Sequence, residues 1–540
     1  MRMNPRYDFD YIVIGSGFGG SVAALRLSEK GYRVVVLEQG RRWTPETLPK
    51  TNWSLSRWLW MPWLGLRGFF SLRFFRHVVV LHGNAVGGGS ITYANTLLVP
   101  SPEVWRQGEW ADLLDWDAVM PAHYATATRM LGVARNRRIG PADDRLRELC
   151  DAEGLGDAYR LTGVGVYFGS DDEAPGTPHR DPYFDDAGPA RASCIGCGGC
   201  MIGCRHGAKN TLDINYLHLA ERRGAQLRAE TRVLRIRPLN DVDGDAGYRV
   251  DVREGRGLFA RRRTLTAKAL VVAASSLSTQ DLLLRAKARG DLPALSPMLG
   301  KRVRTNAESL IGVRFPSSDV DLSQGIAIGS GVQLDADTHV EATRYPAGSD
   351  AMGLISTLMA RGRRDWLRVF ARMLLREPRQ LWRVLRPRDW ARESMILLCM
   401  QTIDGHLDMR LERRWFWPFR KMLQSHGPRI PTSIPQANAF AEKLAARFGG
   451  VALTSVTEML FDIPMTAHCI GGAIMGADDA HGVCDAQGRV HGYRNLVVCD
   501  GSLISANLGV NPSLTITALA EHVMSAIPSA DSAHHDAMAG

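Results

Sequence analysis

The stretch that most restricts the fold of this chain is its beginning. Residues 9–14, "FDYIVI", are an apolar run; "GSGFGG" follows, then "SVAALRLSEKGY" and a second apolar run, "RVVVLE", ending at Glu38. This order predicts a strand, a glycine turn, a helix and a second strand, the unit from which parallel sheets are built. Gly15, Gly17 and Gly20 fit G-x-G-x-x-G. The first allows the tight turn, the second lets backbone approach a pyrophosphate, and the third lets the helix pack on the strand. Glu38 stands 23 residues after Gly15, where a carboxylate can accept from adenosine ribose hydroxyls. The expected class is α/β with α+β additions, and a dinucleotide is expected at this end.

The kind of dinucleotide is indicated further along. "HGNAVGGGSITYAN", residues 82–95, carries three consecutive glycines and resembles the FAD-contacting signature of the glucose–methanol–choline (GMC) oxidoreductases. Other segments resemble the same family in order: "AETRVLRIR" around Val233, "LVVAASSLSTQDLLLR" at 270–285, and "NLVVCDGSLISANLGVNPSLTITALAEHV" at 495–523. Within the family the motifs are most similar to the bacterial cholesterol-oxidase and long-chain-alcohol-oxidase branch. The resemblance implies FAD, contacted by Gly83, Gly88, Gly89, Ser90, Asn95, Val233, Asp500, Gly501, Asn511 and Pro512 besides the opening glycines and Glu38. It also implies a division of the chain. Residues 1–300 form a Rossmann-like FAD-binding domain of GMC type, 301–460 an inserted substrate-binding domain built on a mixed sheet with helices, and 461–540 a return to the FAD domain carrying catalytic groups.

Alcohol oxidation at a flavin needs a base for the hydroxyl proton and a geometry that aims the carbinol hydrogen at flavin N5. "MTAHCIGG" places His468 where the family has its catalytic histidine, and "GVNPSLT" places Asn511 where it has a partner for the substrate oxygen. Sterol oxidases of the family also carry a carboxylate that isomerises the ketone. "VEATRYPAGSDAMGL" resembles that region and puts Asp350 at the corresponding place; "RTNAESL" puts Asn306 in the same pocket. The expected reaction is oxidation of a sterol or long-chain alcohol, with oxygen or a redox carrier taking the electrons. Two other readings stay open: a flavin photodecarboxylase, and a membrane-associated electron-transfer subunit with no alcohol site.

"CIGCGGCMIGC" spaces Cys194, Cys197, Cys200 and Cys204 as C-x2-C-x2-C-x3-C. The spacing matches the ferredoxin run for a 4Fe-4S iron–sulfur cluster, although Arg205 replaces the usual proline. Zinc fits so compact a run less well. Long-chain alcohol oxidases resemble the stretch too, so a metal-free structural loop remains a third reading. No signal-like stretch lies ahead of Phe9, which predicts cytoplasmic residence, where clustered thiols stay reduced and no disulfide is expected.

Of the net charge of +10, residues 361–392 hold a large share: eleven arginines against Asp365, Glu377 and Asp389. Trp366, Val369, Phe370, Met373 and Leu374 recur there at helical spacing, which predicts a basic amphipathic helix. A second stretch, Trp53–Arg76, is rich in Trp and Phe but broken by arginines, so no window spans a bilayer. Arginine with tryptophan suits the headgroup region of a membrane surface, on its inner face, and equally suits a lid packed on the protein's own core. No nucleic-acid motif accompanies the charge.

Overall fold

The computed structural model describes residues 7–239, 242–360, 362–414 and 417–532; Arg361 of the basic stretch above lies outside them. The opening unit forms as its pattern dictates. Strand Phe9–Ile14 runs parallel to Val34–Leu37 on one side and to the end of Arg261–Val272 on the other, and helix Phe18–Glu29 crosses between the first two. The sheet has the order Gln226–Arg228, Val34–Leu37, Phe9–Ile14, Arg261–Val272, Tyr248–Glu254, Thr231–Pro238.

Arg261–Val272 changes role along its length. Its first half pairs antiparallel with Tyr248–Glu254 and is largely exposed; its last residues are buried between Phe9–Ile14 and the late strand Leu496–Val498. The chain therefore returns to its first sheet after some 220 residues elsewhere, and helix Ser513–Ser525 packs on Phe18–Glu29, with Arg26 bridging to Glu521 at 2.7 Å.

A second sheet carries the order Ser356–Leu358, Val451–Ser455, Ser309–Arg314, Ser394–Gln401, Thr338–Thr343, Ile328–Gln333, Tyr159–Leu161. Where the resemblance implied a mixed sheet, each of these pairings is antiparallel, because neighbouring strands return on themselves, as at the turn between Gln333 and Thr338. Its edge strand Tyr159–Leu161 and a covering helix, Pro141–Ala152, come from upstream of residue 301. Period-two alternation gives the sheet two characters. Val313, Val340, Ala342, Leu397 and Cys399 pack under helices Pro141–Ala152 and Pro435–Phe448, whereas Leu310, Ile328, Leu398 and Met400 take the other face, toward the nucleotide half.

The basic stretch is two helices, Arg363–Arg376 and Pro378–Leu385, divided at Pro378, which has no N–H to continue the first. Trp366, Val369, Phe370 and Met373 pack on Leu358, Leu381, Val384 and Leu453, and Trp366 Nε1 donates to Thr357 Oγ1 at 3.0 Å. Much of the amphipathic face is thus covered by the protein itself. In the other aromatic stretch Trp58 stacks on Phe70 at 4.8 Å, beside the hairpin Phe70–Phe74 and Val79–Gly83. Among the described residues no helix is long and apolar enough to cross a membrane.

Candidate active site

One cavity of about 2080 Å³ runs from the glycine turn to the second sheet. At its nucleotide end Gly15 has φ +103°, and a Cβ there would lie 2.2 Å from the Ala273 carbonyl. A Cβ on Gly88 would lie 2.5 Å from Gly17 Cα, so the second glycine loop rests backbone-to-backbone on the first. Gly17 itself caps helix Phe18–Glu29 and opens on empty space. Gly20 stands against the Gly15 carbonyl, packing helix on turn. Glu38 is buried; Oε2 accepts from Ser16 Oγ at 2.7 Å and Oε1 from the Gly40 N–H at 2.7 Å, and burial raises its pKa. It ties the glycine turn to the second strand while still bordering the cavity.

Gly83, Gly89, Val233, Asp500, Gly501, Asn511 and Pro512 also border it. Asp500 is locked in place by the Thr279 hydroxyl at 2.6 Å and the Ser502 N–H at 2.9 Å. Ser90 and Asn95 do not reach the cavity. The turn Gly88–Ile91 carries the Ser90 hydroxyl underneath, where it donates to Gly87 O at 2.6 Å and accepts from Leu212 N at 3.0 Å, and Asn95 is fully buried below it.

At the other end the segment Met465–Thr466 pairs with Val79–Val80 and delivers His468 to the cavity. His468 Nδ1 lies 2.9 Å from Glu308 Oε1. The other oxygen of Glu308 accepts the N–H groups of Ala467 at 2.8 Å and His468 at 3.2 Å, and the Thr466 hydroxyl. A carboxylate so placed stabilises a proton on the imidazole. Asn306 Nδ2 donates to Val510 O at 2.9 Å and sits 3.3 Å from His468 Nδ1, while its Oδ1 accepts from Gly509 N at 2.8 Å. Asn306 thus joins His468 to the loop carrying Asn511 from behind, rather than lining the cavity. Asn511 Nδ2 donates to Glu341 Oε2 at 3.1 Å, and Glu341 is fully buried.

Asp350 has no part in this group. Its Oδ1 accepts the Ala391 N–H at 2.8 Å, fastening a turn to helix Trp390–Glu393, and Asp350 itself does not border the cavity. The buried carboxylate on the substrate side is Glu341, nine residues earlier in the same quoted segment. The cysteine run also departs from expectation. Among the described residues no group of three or more His, Cys, Asp or Glu side chains is arranged to hold a metal ion.

Burial raises the Cys194, Cys197 and Cys200 thiols, Cys200 to about 11. The loop is a strut. Gly198 N donates to Gly325 O and Gly325 N to Gly196 O, both at 2.8 Å, which fastens it to the segment leading into the second sheet. Buried Lys209 donates to the carbonyls of Ile91, Tyr93 and Cys200 at 2.9, 2.9 and 2.8 Å, fastening it to the glycine loop.

Family models described as GMC oxidoreductase match residues 189–304 and 433–520, and one described as NAD(P)-binding Rossmann-like domain matches 13–45. The chain is 53% identical over 526 residues to a cholesterol oxidase of Acinetobacter baumannii, covering 97% of this chain and 95% of that one. It is 46% identical to a cholesterol oxidase of Mycobacterium tuberculosis, covering 96% and 91%. The chain belongs to the GMC oxidoreductases. More distantly, a long-chain-alcohol oxidase of Arabidopsis thaliana is 23% identical, covering 96% of this chain and 67% of its own. The crystal structure of pyridoxine 4-oxidase from Mesorbium loti shares the fold, with TM-score 0.60 at 15% identity over 97% of this chain and 99% of that one.

This GMC oxidoreductase is an FAD-dependent alcohol oxidoreductase, and its residues fit the cofactor. The cavity exceeds what a single small ligand needs. Gly17 leaves the helix N-terminus open to a pyrophosphate. Arg73 Nη1 and His82 Nε2 are buried in the cavity wall with no partner among the described residues, as expected where a polar ligand belongs. FAD, when bound, accepts the carbinol hydride at N5.

The protein's own residues can move the proton. His468, on the cavity wall, is placed to take it from an alcohol held there, with Glu308 as counter-charge to the resulting imidazolium. Asn511 offers a hydrogen-bonding amide on the cavity wall, oriented from behind by Glu341. Glu308 and Glu341 were missed from sequence. Their signal was a carboxylate set against otherwise apolar strands, "NAESLIGV" and "HVEAT".

Proposed function

We propose that this GMC oxidoreductase oxidises the hydroxyl of a sterol, or of an alcohol of comparable bulk, with oxygen as the electron acceptor. The observation that carries the reading is the near full-length similarity to two cholesterol oxidases. The cavity supports it: beyond His468 and Asn511 its wall includes Leu310, Ile396, Leu398, Leu453, Met352 and Trp390, apolar surface suited to a rigid ring system. The division of labour follows, with 1–300 and 461–540 serving FAD and 301–460, joined by residues 141–161, serving the substrate.

A peripheral membrane contact belongs to the same reading. Trp63, Leu64 and Phe74 are exposed in the Trp53–Arg76 stretch, whose residues Trp60–Trp63 border the cavity, and Leu374, Leu375 and Trp382 are exposed on the basic helices. Apolar tips among arginines suit a lipid surface from which a poorly soluble substrate is taken.

The test is anaerobic flavin reduction near 450 nm by cholesterol and by a straight-chain C16 alcohol, followed by oxygen uptake. Rapid bleaching by the sterol and stoichiometric hydrogen peroxide on readmitting air are expected. Bleaching by the straight-chain alcohol alone would overturn the substrate class.

A further inference from the structure

Behind Asn511 the structure holds polar groups that the chemistry above leaves unused. Glu341 Oε1, the oxygen not bonded to Asn511, lies 3.5 Å from His339 Nε2. His339 Nδ1 lies 3.2 Å from Gln333 Oε1, and Gln333 is exposed. Residues 339 and 341 point to the same face of their strand, so Gln333, His339, Glu341 and Asn511 form a continuous row from solvent to the cavity wall.

The row is built into the sheet. Gly331 is the register partner of Glu341, and a Cβ there would lie 2.9 Å from His339 Nε2 and 3.0 Å from its Cε1. The missing side chain is the slot that holds the imidazole beside the carboxylate. His339 Nε2, Glu341 Oε1 and Asn511 Oδ1 are all buried without a hydrogen-bond partner among the described residues. Three such atoms along one row are costly unless they serve one another or a ligand.

We propose that His339 is a positioning residue for alcohol oxidation: it carries protons between solvent and Glu341, and so sets how firmly Glu341 holds the Asn511 amide. Gln333 Nε2 donates to Asp335 O, so its Oε1 accepts from His339 Nδ1 and leaves Nε2 as the free acceptor; Nε2 takes the proton of Glu341 Oε1, and the imidazolium then releases its Nδ1 proton to solvent beside Gln333, which leaves the imidazole neutral and Glu341 ionised. Ionised Glu341 accepts strongly from Asn511 Nδ2, whereas the protonated acid accepts weakly and frees the amide. Charged groups near the row are few. Asp335 and Asp337 in the adjoining turn are engaged by the Asp337 and Thr338 N–H groups and by the Thr402 hydroxyl; Arg160, register partner of Gly331, is exposed; and Leu398 and Met400 face the row from the neighbouring strand.

The inference rests on the reading of Asn511 as a substrate-side group, and the experiment separates the two. Flavin reduction by cholesterol is followed by stopped flow from pH 5 to 9 in the FAD-loaded enzyme and in H339F, H339Q, G331A and N511A, with thermal unfolding and FAD content as controls. H339F and G331A should slow reduction on the order of tenfold near neutral pH, the size of one lost hydrogen bond to a charged group, with little change in the sterol concentration at half-saturation. H339Q keeps a donor but cannot titrate; it should recover the rate and lose the pH-dependent step of the parent. In an N511A background, H339F should have no further effect.

If N511A reduces as fast as the parent, the reading of the site fails. If N511A is slow but H339F is not, or H339Q keeps the parent's pH profile, only the relay is overturned.

Discussion

His468 and Glu308 meet through Nδ1 and Oε1 at 2.9 Å, and both side chains are buried. The contact sets a buried counter-charge beside the imidazole. His468→Gln and Glu308→Gln are both expected to slow anaerobic flavin reduction on the order of 100-fold, because one removes the base and the other its counter-charge. FAD content should stay intact in both. Stopped-flow absorbance checks the rate, and equal rates in parent and Glu308→Gln would remove Glu308 from the mechanism.

Lys209 is expected to hold the cysteine loop and the glycine loop together. Lys209→Met leaves the carbonyls of Ile91, Tyr93 and Cys200 without their buried donor. The expected cost is about 3 kcal/mol or more. It should be read as a lower thermal midpoint together with FAD lost on gel filtration.

The cysteines are expected to be redox-silent. Purified enzyme should contain neither iron nor acid-labile sulfide in proportion to FAD, and Cys197→Ser should oxidise alcohol at the parental rate. Alkylation at pH 8 should be slow, because burial holds these thiols above their ordinary pKa.

Glu458 gives a pH dependence of stability. Burial pushes its carboxyl from the ordinary 4.5 up to about 7, although Thr454 Oγ1 donates to it at 2.8 Å. The folded state therefore binds more protons than the unfolded state between these values, so stability falls as pH rises through that window and stays lower above it. Glu458→Gln keeps the shape without the charge, and its denaturation midpoint should gain on the parent between pH 5 and 7. Parallel curves would refute the assignment.

What the sequence determined by itself was local in origin. Gly15, Gly17, Gly20 and Glu38 act through a single strand–turn–helix–strand, whose conformation depends on neighbours in the chain, so their spacing was sufficient. That His468 and Asn511 meet at one cavity was legible because each sits in a short segment resembling the family's.

Other roles were decided only by the tertiary structure. Asp350 and Glu341 share one quoted segment, and nothing in their spacing says which faces the site; strand pairing turned Val340 and Ala342 to the helices and Glu341 to Asn511. The cysteine spacing was likewise compatible with a cluster. The loop's docking on Gly325, its burial and the Lys209 ammonium beside Cys200 made it a strut. A side chain's neighbours across a sheet are set by register, which long-range packing fixes and a linear motif does not record.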